Sequence, residues 1–154
     1  MEKKFELTDN FVINAFGIKL FQIKCTKAFK YANEGDLGGY VEKEDNLSQS
    51  GNAWVSGDAR VYGNAQVYGN AWVYGNAQVE NNNMHCGFDC FGSCNRHTHA
   101  YMTKENKVEI TCGCFRGNIE EFERKVKETH AGTIYEKQYE AIINLIKIKF
   151  GIDG

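Results

Sequence analysis

The sequence predicts a mixed α+β chain. Three observations carry that prediction: an unbroken six-residue repeat in the middle, a Cys/His-rich segment after it, and two amphipathic helical stretches at the end. With 154 residues, 42% hydrophobic and 25% charged, the composition is that of one globular domain or two small ones. No run approaches the ~20 apolar residues of a membrane helix. No basic-then-apolar start reads as a signal peptide, so the expected compartment is the cytoplasm. Eighteen Lys and Arg stand against twenty Asp and Glu, a net charge of -2. That balance argues against a protein built to grip nucleic acid, which must neutralise phosphates, and against an acidic DNA mimic.

The first part, residues 1–40, is expected to be a β cap. Phe11-Val-Ile-Asn-Ala-Phe16 and Lys19-Leu-Phe-Gln-Ile-Lys-Cys25 are β-like runs separated by Gly17. Phe21, Ile23 and Cys25 alternate with polar residues, as a half-buried strand requires. Cys25 then reads as a small core residue. Asp36-Leu-Gly-Gly39 reads as a turn.

The second part, 41–80, is the repeat. It runs Gly51-Asn-Ala-Trp-Val-Ser, Gly57-Asp-Ala-Arg-Val-Tyr, Gly63-Asn-Ala-Gln-Val-Tyr, Gly69-Asn-Ala-Trp-Val-Tyr, Gly75-Asn-Ala-Gln-Val-Glu. Leu47, six before Ala53, and Val41, six before that, read as a degenerate start. A period of six with Gly, a small residue and Val predicts a short left-handed hexapeptide β-helix. Ala and Val lie two apart, so both point inward on one short strand. Gly-Asn supplies the corner, in a chain without proline. Three sides close one coil, so residues eighteen apart should stack, Trp54 on Trp72 and Arg60 on Gln78. The indole ladder either covers one wall or marks a partner-binding face. Tyr62, Tyr68 and Tyr74 fall on three different sides.

The third part, 81–154, opens with the polar break Asn81-Asn-Asn83. It is expected to hold a zinc-stapled β-hairpin and a two-helix hairpin. Val108-Glu-Ile-Thr111 reads as a strand. Asn118 caps a helix that Glu121 completes as a capping box, with Ile119, Phe122 and Val126 on one face. His130-Ala-Gly132 ends it, and His130 complements the helix dipole. A second helix spans Ile134 to Phe150. Both ends of the repeat array need covering, because open strand edges invite association.

Five of the six cysteines lie between Cys86 and Cys114, among His85, His97 and His99. In a reducing compartment such clusters bind metal or do redox work more often than they form disulfides. The candidate ligands of a structural Zn2+ are Cys86, Cys90, Cys94, His97, His99, Cys112 and Cys114. Cys86, Cys90, Cys94 and His97 form one plausible loop site. A hairpin closed by Lys104-Glu-Asn-Lys107 would instead set His99 opposite Cys112 and His97 opposite Cys114, a His2Cys2 platform. Metal-free cysteines, including disulfides, and a catalytic metal or reactive thiol are the alternatives. Asp89 and Glu109 are the nearest candidate bases, and His85 is the least constrained of the group.

Lys19-Leu-Phe-Gln-Ile-Lys24, Gly35-Asp-Leu-Gly-Gly-Tyr-Val-Glu-Lys43 and Asn46-Leu-Ser48, followed by the array, resemble a family of small phage and prophage hexapeptide-repeat proteins. Thr111-Cys-Gly-Cys-Phe-Arg-Gly117 and Lys127-Glu-Thr-His130 are similar to a C-terminal phage module. The Cys/His run of 85–99 departs from the usual form of that family. The resemblance implies a phage accessory protein without enzymatic activity. Its expected partner is a host defence protein or ribonucleoprotein, most concretely a CRISPR-associated nuclease, which would make it an anti-CRISPR inhibitor acting by protein–protein binding. A phage structural or assembly module is the first alternative. A hexapeptide acyltransferase or metal-dependent enzyme is the second, although no His precedes residue 85 and fold alone does not carry function.

Overall fold

The computed structural model describes residues 2–152 and is mixed α+β. Contacts divide the chain into two units, residues 1–82 and 83–154. Among the described residues there are two α-helices and three sheets, none closed.

In the first unit, β1 (Phe5–Ile13) and β2 (Lys19–Cys25) form an antiparallel hairpin. The first strand thus ends at Ile13, short of Phe16. The reason is Asn14, whose side chain accepts from the backbone N–H of Phe16 and of Ile18 and so starts the turn early. Ile23 and Cys25 are fully buried as expected, but Leu20 is buried in place of Phe21. The β2–β3 register shifts between Gln22 and Lys24, which breaks the alternation.

The Gly38-Gly39 pair is not a turn. It lies inside β3 (Leu37–Val41), which joins β2 to the repeat. A Cβ on Gly38 would sit 2.7 Å from the carbonyl oxygen of Val55, and one on Gly39 2.7 Å from that of Ala59. These glycines serve close backbone approach. The sheet order β1-β2-β3-β5-β7 therefore runs unbroken from the hairpin into the array, through β5 (Arg60–Val61) and β7 (Gln78–Val79). The expected boundary at residue 40 falls within β3.

The predicted stacking is present. Arg60 pairs with Gln78, and Trp54 with Trp72 across β4 (Trp54–Val55) and β6 (Trp72–Val73), all parallel. A bridge between Leu47 and Val67 makes a third ladder. Ala53, Ala59, Ala65, Ala71 and Ala77 and the Val of each repeat are buried to within 1%. The start of the array is offset from its expected register. Val41 pairs with Val61 and Leu47 with Val67, so both occupy the Val position. Gln49 and Ser50 are two extra residues in that first turn. Gln49 uses them to bind the backbone of Lys4 and Phe5, accepting from both N–H groups and donating to the Phe5 carbonyl.

The indole ladder is a covered wall. Phe29 meets Trp54 edge-on at 5.1 Å, and Tyr31 stacks on Trp72 at 5.6 Å. Trp54 is 2% exposed, and the Trp72 Nε1–H donates to Ser56.

In the second unit, β8 (His85–Phe91), β9 (Arg96–Met102), β10 (Val108–Cys112) and β11 (Phe115–Asn118) form one antiparallel sheet in the order β11-β10-β9-β8. Of Cys86, Cys90, Cys94 and His97, read as one plausible loop site, Cys86, Cys90 and His97 thus lie on strands. Helices α1 (Ile119–His130) and α2 (Ile134–Phe150) cover one face of it. That face carries Ala100, Val108, Ile110 and Cys112, against Phe122, Val126, Tyr139, Ile142 and Ile146. The capping box is formed. Asn118 accepts from the Glu121 N–H at 2.8 Å, and Glu121 accepts from the Asn118 N–H at 3.0 Å. No helix among the described residues is long and apolar enough to cross a membrane.

Candidate functional site

The register of β9 against β10 decides where the Cys and His side chains go. Thr111 lies opposite His99, and Cys112 opposite Thr98. The expected pairing of His99 with Cys112 is off by one residue. Along a strand one residue reverses the face. The His2Cys2 platform is therefore not formed: Cys112 points to the helices, and His97 and His99 point away from them.

On the face away from the helices the imidazoles make a line. His97 Nδ1 lies 2.6 Å from Asp89 Oδ1. His97 Nε2 lies 2.9 Å from His99 Nδ1, and His99 Nε2 lies 2.9 Å from His85 Nδ1. Backbone features make room for this. Phe88 pairs with Thr98 and Phe91 with Arg96, so Asp89 and Cys90 together oppose His97. Cys90 takes a φ of 70°, and the bulge turns Asp89 toward His97. Gly87 lies under the rings, where a Cβ would stand 2.5 Å from His97 Cε1.

The direction of the hydrogen bonds follows from the carboxylate, which only accepts. His97 donates from Nδ1 to Asp89; in its neutral form Nε2 is then an acceptor and takes the proton of His99 Nδ1. His99 Nε2 then accepts from His85 Nδ1. Burial holds His85 down to about 4 and His99 well below the usual imidazole range, with the Lys149 charge adding to the effect at His85 and the neighbouring imidazoles at His99. Both are therefore neutral at pH 7. Tyr101, on the same face, donates to Glu109, whose carboxyl burial pushes upward.

Thiols gather on the other side. Cys94, Cys112 and Cys114 line a cavity of about 280 Å³ together with Arg96, His130 and Tyr139. Cys112 and Phe115 pair across the two-residue turn Gly113-Cys114. Gly113, at a φ of 60°, takes the first central position, which a II′ turn reserves for glycine. Thr98 Oγ1 donates to Cys112 Sγ at 3.2 Å. Arg96 acts electrostatically on all three thiols. Hydrogen bonds from Ser93 and Arg96, with the Arg96 charge, hold the Cys94 thiol below its ordinary range.

The seven candidate ligands thus fall into separate groups. Cys86 is half-buried against the helix-side core, where burial pushes its thiol up. Cys90 is exposed on the bulge, and Cys94 and Cys114 are exposed at turns. His97 and His99 belong to the relay. Zinc needs four donors converging at about 2.0–2.3 Å. His99 has an imidazole on each ring nitrogen, and a guanidinium stands among the three thiols. Among the described residues no three His, Cys, Asp or Glu side chains are grouped to hold a metal ion.

Sequence reasoning set His85 aside, yet it joins the relay through His99. It gave His130 only a dipole role, yet His130 lines the thiol cavity and stacks on Tyr139 at 5.7 Å. The His-x-His spacing marked one shared face. Gly87, opposite His99 in a strand, was the available sign that the rings needed space.

No protein-family model matches the chain, and no curated protein matches it.

Proposed function

We propose that the protein acts by binding another protein, without catalysis of its own, and that the tip of the β1–β2 hairpin is the docking surface. One observation supports this reading. Phe11, Ile13 and Phe16 are 45%, 59% and 76% exposed at that tip. Phe11 packs on Phe21 directly across the hairpin, at 6.0 Å between ring centroids, with Lys19 over its outer face. Clustered aromatic and aliphatic side chains left in water are typical anchors of protein interfaces. β1 is also an edge strand, so its outer backbone groups are placed to pair with a partner strand.

In its concrete form the reading is the one the phage-family resemblance implies. The protein inhibits a host defence system in the bacterial cytoplasm, as an anti-CRISPR bound to an RNA-guided nuclease. The repeat, wound as a left-handed hexapeptide coil, is the rigid body that presents the hairpin. Structural zinc belongs to this proposal only if side chains around Cys94, Cys112 and Cys114 rearrange. Elemental analysis of protein purified without added metal decides that point.

The experiment is binding and cleavage with purified defence ribonucleoproteins. A stable complex that suppresses cleavage, lost in Phe16→Glu while the fold persists, supports the reading. Suppression that survives Phe11→Glu and Phe16→Glu removes the hairpin from it. Recovery of the protein in purified virions, with no nuclease binding, replaces the inhibitor with the assembly module.

A further inference from the structure

The thiol cavity points to chemistry that neither partner binding nor zinc uses. We propose that Cys94 and Cys114 are a redox-active dithiol, which closes to an intramolecular disulfide when a hydroperoxide reaches the cavity.

Position comes first. Cys94 and Cys114 are both exposed, and both open onto the same cavity of about 280 Å³. The Gly113-Cys114 turn, which follows the Thr98–Cys112 pair, lies against the Arg96 side chain, and a Cβ on Gly113 would run into that guanidinium. Cys94 lies two residues before Arg96, in a turn where the Asn95 N–H donates to the Gly92 carbonyl. That turn is tied to α2, because the Gly92 N–H donates to Gln138 Oε1 at 2.9 Å. Two turns, each bearing one exposed thiol, therefore meet at a single guanidinium.

Charge comes second. Arg96 hydrogen-bonds Cys94 and acts on Cys112 and Cys114 as well. A guanidinium beside a thiol stabilises the thiolate, the form that reacts with peroxides. The same guanidinium repels a divalent cation. Cys90 is the internal comparison: it is also exposed but is not among the residues lining the cavity. Cys112 is a poorer partner for Cys94, because it is 8% exposed and its sulfur accepts from Thr98.

The reaction balances. The Cys94 thiolate attacks the hydroperoxide. The O–O bond breaks, a sulfenic acid forms on Cys94, and the alcohol or water leaves after taking a proton. The Cys114 sulfur then attacks the sulfenic sulfur, the S–O bond breaks, the S–S bond forms, and water leaves. Two thiols lose two electrons and the peroxide gains them.

The test uses the full chain, reduced and metal-free, exposed to hydrogen peroxide, capped with a maleimide and mapped by mass spectrometry without reductant. The expected product is a monomer lighter by two hydrogens with a Cys94–Cys114 cross-link. Cys90→Ser should form it equally well. Cys114→Ser should instead accumulate a sulfenic acid at Cys94 that dimedone traps, and Arg96→Gln should slow the first step several-fold. A Cys90–Cys94 or Cys94–Cys112 bond, or oxidation of Cys90 as fast as Cys94, overturns the proposal. These outcomes do not depend on whether the hairpin binds a partner.

Discussion

The Nε2 of His97 and the Nδ1 of His99, two positions apart on β9, face each other at 2.9 Å. Both side chains leave the same face of β9, and each ring is held from its far side, His97 by Asp89 and His99 by His85.

With all three imidazoles neutral, that arrangement sets three tautomers from one carboxylate. His85, His97 and His99 should each carry their proton on Nδ1 at pH 7. Two-bond nitrogen–proton NMR correlations read this directly. A majority of Nε2–H forms at His97 and His99 would contradict the assigned direction. Asp89→Asn should relax the preference, because an amide can donate as well as accept.

Acid should unfold the protein earlier than its carboxylates alone require. His85 is depressed from 6.5 to about 4 in the folded state, and burial holds His99 well below its ordinary range as well. Between those values the unfolded chain binds the protons that the folded chain refuses. The stability contribution is therefore full above pH 6.5 and is lost as pH falls toward 4. For His85 it amounts to about 3 kcal/mol. Melting temperatures measured from pH 7 to pH 4.5 should fall, and the slope should be shallower in His85→Gln.

Lys4 gives the opposite limb. Its ammonium donates to the Ala53 carbonyl at 2.5 Å and stands 4.9 Å from the Phe29 ring centre, yet burial lowers it from 10.5 to about 8. The unfolded chain binds more protons between those values, so this group's contribution makes stability rise with pH from about 8 to 10.5. Comparing melts of the native chain and Lys4→Met across that window isolates the effect. A difference between the two that does not change with pH would refute it.

Gly38 and Gly39 should tolerate no side chain. Each added Cβ meets a backbone carbonyl at 2.7 Å, and neither carbonyl belongs to a flexible group. Gly39→Ala should cost about 1–3 kcal/mol through backbone displacement. Chemical denaturation compares it with Gly69→Ala, where a Cβ has open space and only the φ of 68° opposes it.

Much of the fold was legible. The eighteen-residue stacking of Trp54 on Trp72 and of Arg60 on Gln78 follows from the repeat, and both helices follow from caps and apolar spacing. What failed did so for local reasons. Gly38-Gly39 looks like a turn because sequence does not reveal that two backbones pass close by. The offset at Leu47 was hidden because six divides neither the two extra residues nor the latch that Gln49 makes. At the site, the shared face of His97 and His99 was legible from spacing. Their separation from Cys112 was not, because a hairpin's register rests on loop geometry that Lys104-Glu-Asn-Lys107 does not announce. The bulge at Cys90 gave no sign beyond its place in a strand.

Gln49 fastens β1 to the first turn of the array, and beyond it the repeats run without interruption from Gly51. Length and anchorage are therefore specified by different residues. A copy of eighteen residues spliced in between Gly57 and Gly75 should add one more rung, ~4.8 Å, while the fastening stays as it is. The molecule can be lengthened like a ladder bolted only at its foot.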